Sequence, residues 1–331
     1  MASVPNSVLA DARPQGIAKW GELKGPLVAL LIALVIPMFV GGYYLFELTM
    51  MLIMAIAVLG LNLVVGYNGQ LSVGHGAFYA LGAYLTAIII TQAGMPYWAA
   101  IPVAGAISLV FGFLFGWPAV RFQGLYLALA TFSLAWAMPQ ILKYDGLAPW
   151  TGGVQGTSLS KPQAPWGLPL DEDQWLYYVT VFVTAVVFLC AWNLIRGRIG
   201  RAIIATREHP LAASAMGVNV TYYKAMTFGI SAMFTGIAGG LAAVVVQFVS
   251  PDSFDIFLSV AFLIGVIVGG VATIWGALVG GAFIQFVPSF ASQLSDALPW
   301  AIYGVFLIIA VFLMPRGFMG LLEQAKKRLG R

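Results

Sequence analysis

Side chains able to do proton, metal or nucleophilic chemistry are few in this sequence and widely separated. There are two histidines, His75 and His209, and one cysteine, Cys190, which lies inside an apolar run. A single thiol forms neither an internal disulfide nor a thiolate metal site. One histidine lies in an apolar segment and the other in a polar loop, so they offer no metal-ligand spacing either. No Gly-Lys pair occurs, which excludes the phosphate-cradling loop GxxxxGK[ST]. The residue left to explain is His75, flanked by Gly74 and Gly76 and preceded by Ser72 in LSVGHGAFYALGAY. An ionisable group within an apolar segment is costly and marks function by default. Two readings stand. Ser72 and His75 line a path or gate, or a neutral imidazole bonds a neighbouring carbonyl in a helix pair that glycines let pack tightly. Asn62, Asn68, Gln70, Thr131, Ser133 and Gln247, also in or beside apolar stretches, either line a cavity or hydrogen-bond between helices.

The elements that position these residues are set by composition. The chain has 331 residues, of which 61% are hydrophobic and 8% charged, with mean hydropathy +0.92. Soluble domains carry charge at roughly a quarter of their positions, so this is the composition of a bilayer-embedded chain. A spanning helix needs about 20 apolar residues. That rule gives ten candidates, near 27–46, 48–66, 71–92, 97–117, 124–142, 174–195, 222–249, 256–274, 276–292 and 298–315. Glycine clusters make broken or short helices plausible in 71–92 and 256–292. Residues 1–26 are too long and polar for the charged region of a cleaved signal peptide, so they read as a cytoplasmic tail, with 27–315 the transmembrane domain and 316–331 a second tail.

With the N-terminus cytoplasmic and ten spans, only Lys143 and Lys161 of the 16 basic residues fall outside. That asymmetry is the positive-inside signature, and it puts both termini in the cytoplasm. Glu47, Asp145, Asp171, Glu172, Asp173, Asp252, Asp255 and Asp296 fall outside. The net charge of +4 therefore reads as a topology determinant that suits anionic lipid headgroups, not as a nucleic-acid footprint. His75 is the one clear ionisable group within a span, and the lack of a mid-depth carboxylate disfavours an ion-coupled carrier. The spacings Gly236-xxx-Gly240, Gly265-xxx-Gly269 and Gly276-xxx-Gly280 signal close helix packing. Trp98, Trp117, Trp175 and Trp300 read as interfacial anchors.

Two hydrophilic segments exceed a turn. The external loop 143–173 is rich in Pro and Gly, and its Thr151-Gly152-Gly153, with Asp252 and Asp255, faces outward as a docking surface or a flexible turn region. The loop 196–221 opens with Arg196, Arg198 and Arg201 and continues ATREHPLAASAMGV. Pro210 suits the first turn of a helix, Ala212, Ala213 and Ala215 favour helix, and Gly217 can end it in a left-handed turn. Such a small-sided helix can sit in a groove of another protein, with Arg207 and Glu208 making charged contacts. The other reading is an interfacial loop with basic anchors.

The pattern Ala212-Ala213-xxx-Gly217 resembles the EAA coupling loop of bacterial ABC importer permeases. The surrounding RGRIGRAIIATREHPLAASAMGVNVTYYKAMTFGISA is similar to the branched-chain amino acid permease family. So are GLNLVVGYNGQLSVGHGAFYALGAY at 60–84, GLYLALATFS at 124–133, TGGVQG at 151–156 and MPRGFMGL at 314–321. Leu211 stands where the general loop motif has glutamate, and the isoleucine and proline expected after the glycine are absent. The resemblance implies an all-α ABC importer permease fold of about ten transmembrane helices in the bacterial inner membrane. It implies pairing with a second, homologous permease, two cytoplasmic ABC ATPase subunits gripping the coupling loops, and a periplasmic substrate-binding protein. ATP would be hydrolysed by those partners, and this chain would bind no cofactor. Urea and short-chain amide permeases share the GHGAF-type motif, and a self-sufficient secondary carrier is the reading from another class.

Overall fold

The computed structural model describes residues 31–122, 124–165, 169–294, 304–306, 308–309, 312 and 317–321. Residues 31–35 are helical and lead through a 3-10 turn, Ile36–Met38, to a break at Gly42. Helix α1 (Tyr43–Asn62) runs on into a π-helical turn, Leu63–Tyr67. Then follow α2 (His75–Ala93), α3 (Tyr97–Ala119), α4 (Leu125–Leu142) and α5 (Glu172–Arg196). Two shorter helices, α6 (Arg198–Glu208) and α7 (Pro210–Ala215), precede α8 (Val220–Val246). The described bundle ends with α9 (Ile256–Gly269) and α10 (Gly276–Leu294). Among the described residues, six helices are long and apolar enough to cross a membrane, and α9 and α10 are shorter apolar helices.

The architecture is all-α, and most expected spans lie within a few residues of the observed helices. The differences have local causes. The first two candidates meet at Gly42, which has φ +60°, and not near residue 47. Glu47 therefore lies inside α1 and is buried, at 6% exposure, where the sequence reading put it in an external turn. The third candidate starts late, because residues 68–74 are non-helical. The eighth stops at Gly269, where Gly270 adopts φ +121°. Most of the tenth candidate, Trp300, the tail 1–26 and all but 317–321 of the tail 316–331 lie outside the described residues.

The core forms where α8 packs against α1, α2 and α3. The small residues of α2 and α8 let two backbones touch, which is how membrane helices associate without a hydrophobic drive between them. Gly265 and Gly269 of α9 face Gly280 and Gly276 of α10, so two of the sequence's glycine spacings form one antiparallel seam. At one end of the bundle, β1 (Thr157–Ser158) pairs antiparallel with β2 (Phe248–Val249). At the other, α6 and α7 bridge α5 to α8.

Candidate coupling loop and polar break

The segment between α1 and α2 leaves helical geometry inside the bundle, and its polar groups find partners on four other elements. Helix α2 begins at His75 against Ser231, well inside α8, so its first N–H groups cannot reach bulk water and need protein acceptors. Gly76 N–H donates to Ser259 Oγ of α9 at 2.9 Å, and Gly74 N–H to Ser72 Oγ at 3.4 Å. Val73 N–H donates to Thr131 Oγ1 of α4 at 3.0 Å, and Thr131 itself donates to Ala128 O.

His75 is fully buried, edge-on to Phe78 and tilted against Phe228. Ser231 donates its hydroxyl proton to Gly60 O at 2.5 Å, so its lone pairs face the ring. Nε2–H then donates to Ser231 Oγ at 2.6 Å, and Nδ1 accepts from Ser72 Oγ at 3.0 Å. The network is complete with a neutral imidazole. Asn62, at the end of α1, donates to Thr273 O at 2.8 Å and accepts from Ala272 N–H at 2.9 Å. Four of the five path candidates, Asn62, Ser72, His75 and Thr131, thus surround the break. Ser133 stands apart on the exposed face of α4, bonded to its own Leu129 O.

In the loop between α5 and α8, Pro210 occupies the first turn of α7 and the helix ends as the alanine run and Gly217 suggest. Gly217 has φ +83°. Its N–H donates to Ser214 O and that of Val218 to Ala213 O, both at 3.0 Å. This paired closure satisfies the last carbonyls of the helix. Ala213 turns inward and is buried, Ala212 is exposed, and Leu211 and Met216 are 86% and 85% exposed. Glu208 lies 3.7 Å from Arg207 Nε, and Arg207 Nη1 donates to the carbonyl of Gly66 in the π-turn.

At the opposite end, Thr151 is buried, not presented: it donates to Leu142 O at 2.9 Å and accepts from Gly153 N–H at 3.1 Å. Gly152 and Gly153 both have positive φ, which shapes the turn that leads to β1. Asp252, 68% exposed, pairs with Lys143 at 2.5 Å, and Asp255 caps α9 by accepting from Leu258 N–H at 3.2 Å.

The family model described as branched-chain amino acid transport system, permease component, matches residues 43–314. The chain belongs to this branched-chain amino acid permease family. It is 34% identical to the high-affinity branched-chain amino acid transport system permease protein LivM of Salmonella typhimurium, over 74% of this chain and 62% of that protein. To LivM of Escherichia coli it is 35% identical over the same shares. To LivH of Escherichia coli it is 25% identical, over 82% of this chain and 92% of that one. The chain thus spans less than two thirds of the length of the LivM relatives it matches. No solved structure matches it.

For this permease-family chain, sequence reasoning passed over several groups that the fold brings together. Ser231 and Ser259 sit in apolar helices with no neighbouring polar residue to mark them. The only signal was their type, small hydroxyls among membrane residues, which are interhelical hydrogen-bonding groups. Glu47, reached by Gln285 Nε2 at 3.1 Å and Ser289 Oγ at 3.3 Å, would have been found by reading Gly41-Gly42 as the helix break. Like His75, it is an ionisable group buried within a helix long and apolar enough to span.

Proposed function

We propose that this chain is a membrane-spanning permease subunit of an ATP-driven, binding-protein-dependent importer of branched-chain or similar amino acids. The observation that carries the reading is α7, in a chain of the branched-chain permease family. It is a short helix begun by Pro210 and closed at its C-terminal end, and the apolar side chains of Leu211 and the adjoining Met216 project away from the bundle. Exposed apolar groups of this size outside a spanning segment are suited to a protein groove.

In this reading two cytoplasmic ATPase subunits grip α7 and its counterpart on a second, homologous permease, with Arg207, Glu208, Ala212, Ala213 and Gly217 forming the coupling loop. Ten crossings, both termini in the cytoplasm and a bacterial inner-membrane location belong to the same proposal. The basic α5–α6 end would lie against anionic headgroups. Asn62, Ser72, His75 and Thr131 hold the broken segment that lines the inner part of the path, with Ser133 on a face open to the partner permease. A periplasmic binding protein docks on the external turn of Thr151, Gly152 and Gly153 with Asp252 and Asp255. Discrimination between substrates rests mainly with that binding protein, because the path offers few charges. ATP is hydrolysed in the partner subunits.

The test is uptake of radiolabelled leucine into vesicles holding the assembled components, with and without ATP and binding protein. Uptake that needs both supports the importer, and competition by other amino acids or urea sets the substrate range. Uptake by this chain alone, driven by an ion gradient, would replace the reading with a secondary carrier.

A further inference from the structure

Within the coupling loop, Arg207 faces inward. Its stem crosses the backbone of Gly69, where a Cβ would come within 2.9 Å of Arg207 Cγ, and its guanidinium donates to Gly66 O. That carbonyl is free for a physical reason. A continuing α-helix would bring it the N–H of Gln70, but the chain has left helical geometry and that N–H bonds Val64 O at 3.0 Å. The replacement is a charge-assisted bond, stronger than the one it substitutes for.

Gly66 in turn abuts the turn between α9 and α10. A Cβ there would fall 2.2 Å from Asn62 Oδ1 and 2.5 Å from Ala272 N, so the two backbones approach only because residue 66 is glycine. Asn62 grips the same turn through Ala272 N–H and Thr273 O. Ala272 is held at φ +60°, a left-handed conformation costly for a residue with a side chain. A π-turn and a strained alanine lie side by side here, features of the kind that mark functional hinges.

We propose that Arg207 is a positioning residue for transport, tying the coupling helices to the π-turn and, through Asn62, to the Ala272 turn. Movement of α6 and α7 is then delivered to the inner ends of α1, α9 and α10 together. The loop makes two contacts with different directions: Leu211 and Met216 outward to a partner, Arg207 inward to the membrane domain. The role rests on the importer reading above.

The experiment uses the full complex, with partner permease, ATPase subunits and binding protein, in proteoliposomes, and reads leucine imported per ATP hydrolysed. An idle wild type sinks the importer reading, and the proposal with it. With an active wild type, the two variants address Arg207 alone. Arg207→Met keeps the stem over Gly69 and removes the donor; Arg207→Lys keeps a donor. Import per ATP is expected to fall about tenfold or more in Arg207→Met, with the complex co-purifying intact and ATP still hydrolysed. In Arg207→Lys it is expected to stay within roughly threefold of wild type. A wild-type ratio in Arg207→Met would show the contact idle, and equal losses in both variants would show that the donor is not what matters. Failure of Arg207→Met to assemble would mean that the contact holds the fold and not the movement. Each of these three results overturns the proposal.

Discussion

His75 is held by Ser72 from its own segment and Ser231 from α8, while Ser259 of α9 and Thr131 of α4 hold the backbone beside it. Removing the ring leaves two buried hydroxyls short of a partner and a space between Phe78 and Phe228. His75→Ala is therefore expected to destabilise the protein by about 3 kcal/mol, combining unmade hydrogen bonds with a partly unfilled cavity. The measurement is the thermal midpoint of the purified complex in detergent alongside its transport rate. Both should fall together. A transport loss at an unchanged midpoint would instead put the imidazole on the path. The sequence singled out Ser72 and His75 because they are close in the chain and flanked by glycines. It had no means of pairing Asn62 with Thr273, because the partner atom is a main-chain carbonyl far along the chain that any residue could supply.

The element most legible in the sequence was α7, since its start, body and end are each written in local chemistry. Proline needs no N–H in a first turn, alanine loses no side-chain entropy, and Gly217 accepts the left-handed closure. The structure adds that nothing lies within 4 Å of a Cβ at Gly217. A substitution there meets only the backbone cost, roughly 1–2 kcal/mol, unless a partner covers it. Gly217→Ala is thus expected to keep substrate-stimulated ATPase, and Gly217→Trp to lose it at normal membrane levels. Unchanged stimulation in the tryptophan variant would argue against the coupling role. Ala213 differs, being buried, and a bulky residue there disturbs the chain's own packing first. The seam of α9 and α10 was legible only as spacing. Which glycines meet was not, because each motif reads the same whatever it faces. A Cβ at Gly280 would fall 2.2 Å from Gly265 O, so Gly280→Val should cost about 3 kcal/mol, the upper end for overpacking. Reduced membrane levels and a lowered melting midpoint would show it, whereas a wild-type midpoint would mean the helices do not meet there.

Across the whole molecule, the two ends of the bundle differ in chemistry as well as in fold. One end joins α5 to α8 through Arg196, Arg198, Arg201 and Arg207. The other carries ion pairs, Lys143 with Asp252 across the end where β1 pairs with β2, and Lys161 with Asp173 in the first turn of α5. The charge asymmetry could be read from sequence because insertion acts on charges near span ends, whatever the tertiary fold. The depth at which helices start could not. The late start of α2 and the short α9 depend on acceptors supplied by distant serines and on turns that only packing fixes. Orientation therefore stands on charge, and a two-sided labelling experiment tests it. Cys190 is exposed in α5, so it is first replaced by serine. Single cysteines are then introduced at Ser214, exposed in α7, and at Ser253, exposed beside Asp252. With a membrane-impermeant thiol reagent, Ser253→Cys should label from the outer face of spheroplasts and Ser214→Cys only after the membrane is opened or inverted. The reverse pattern would turn the molecule over, leaving α7 on the side away from ATP and removing the physical basis for coupling. Labelling of both from one side would mean an even number of crossings between them, and α8 would not span.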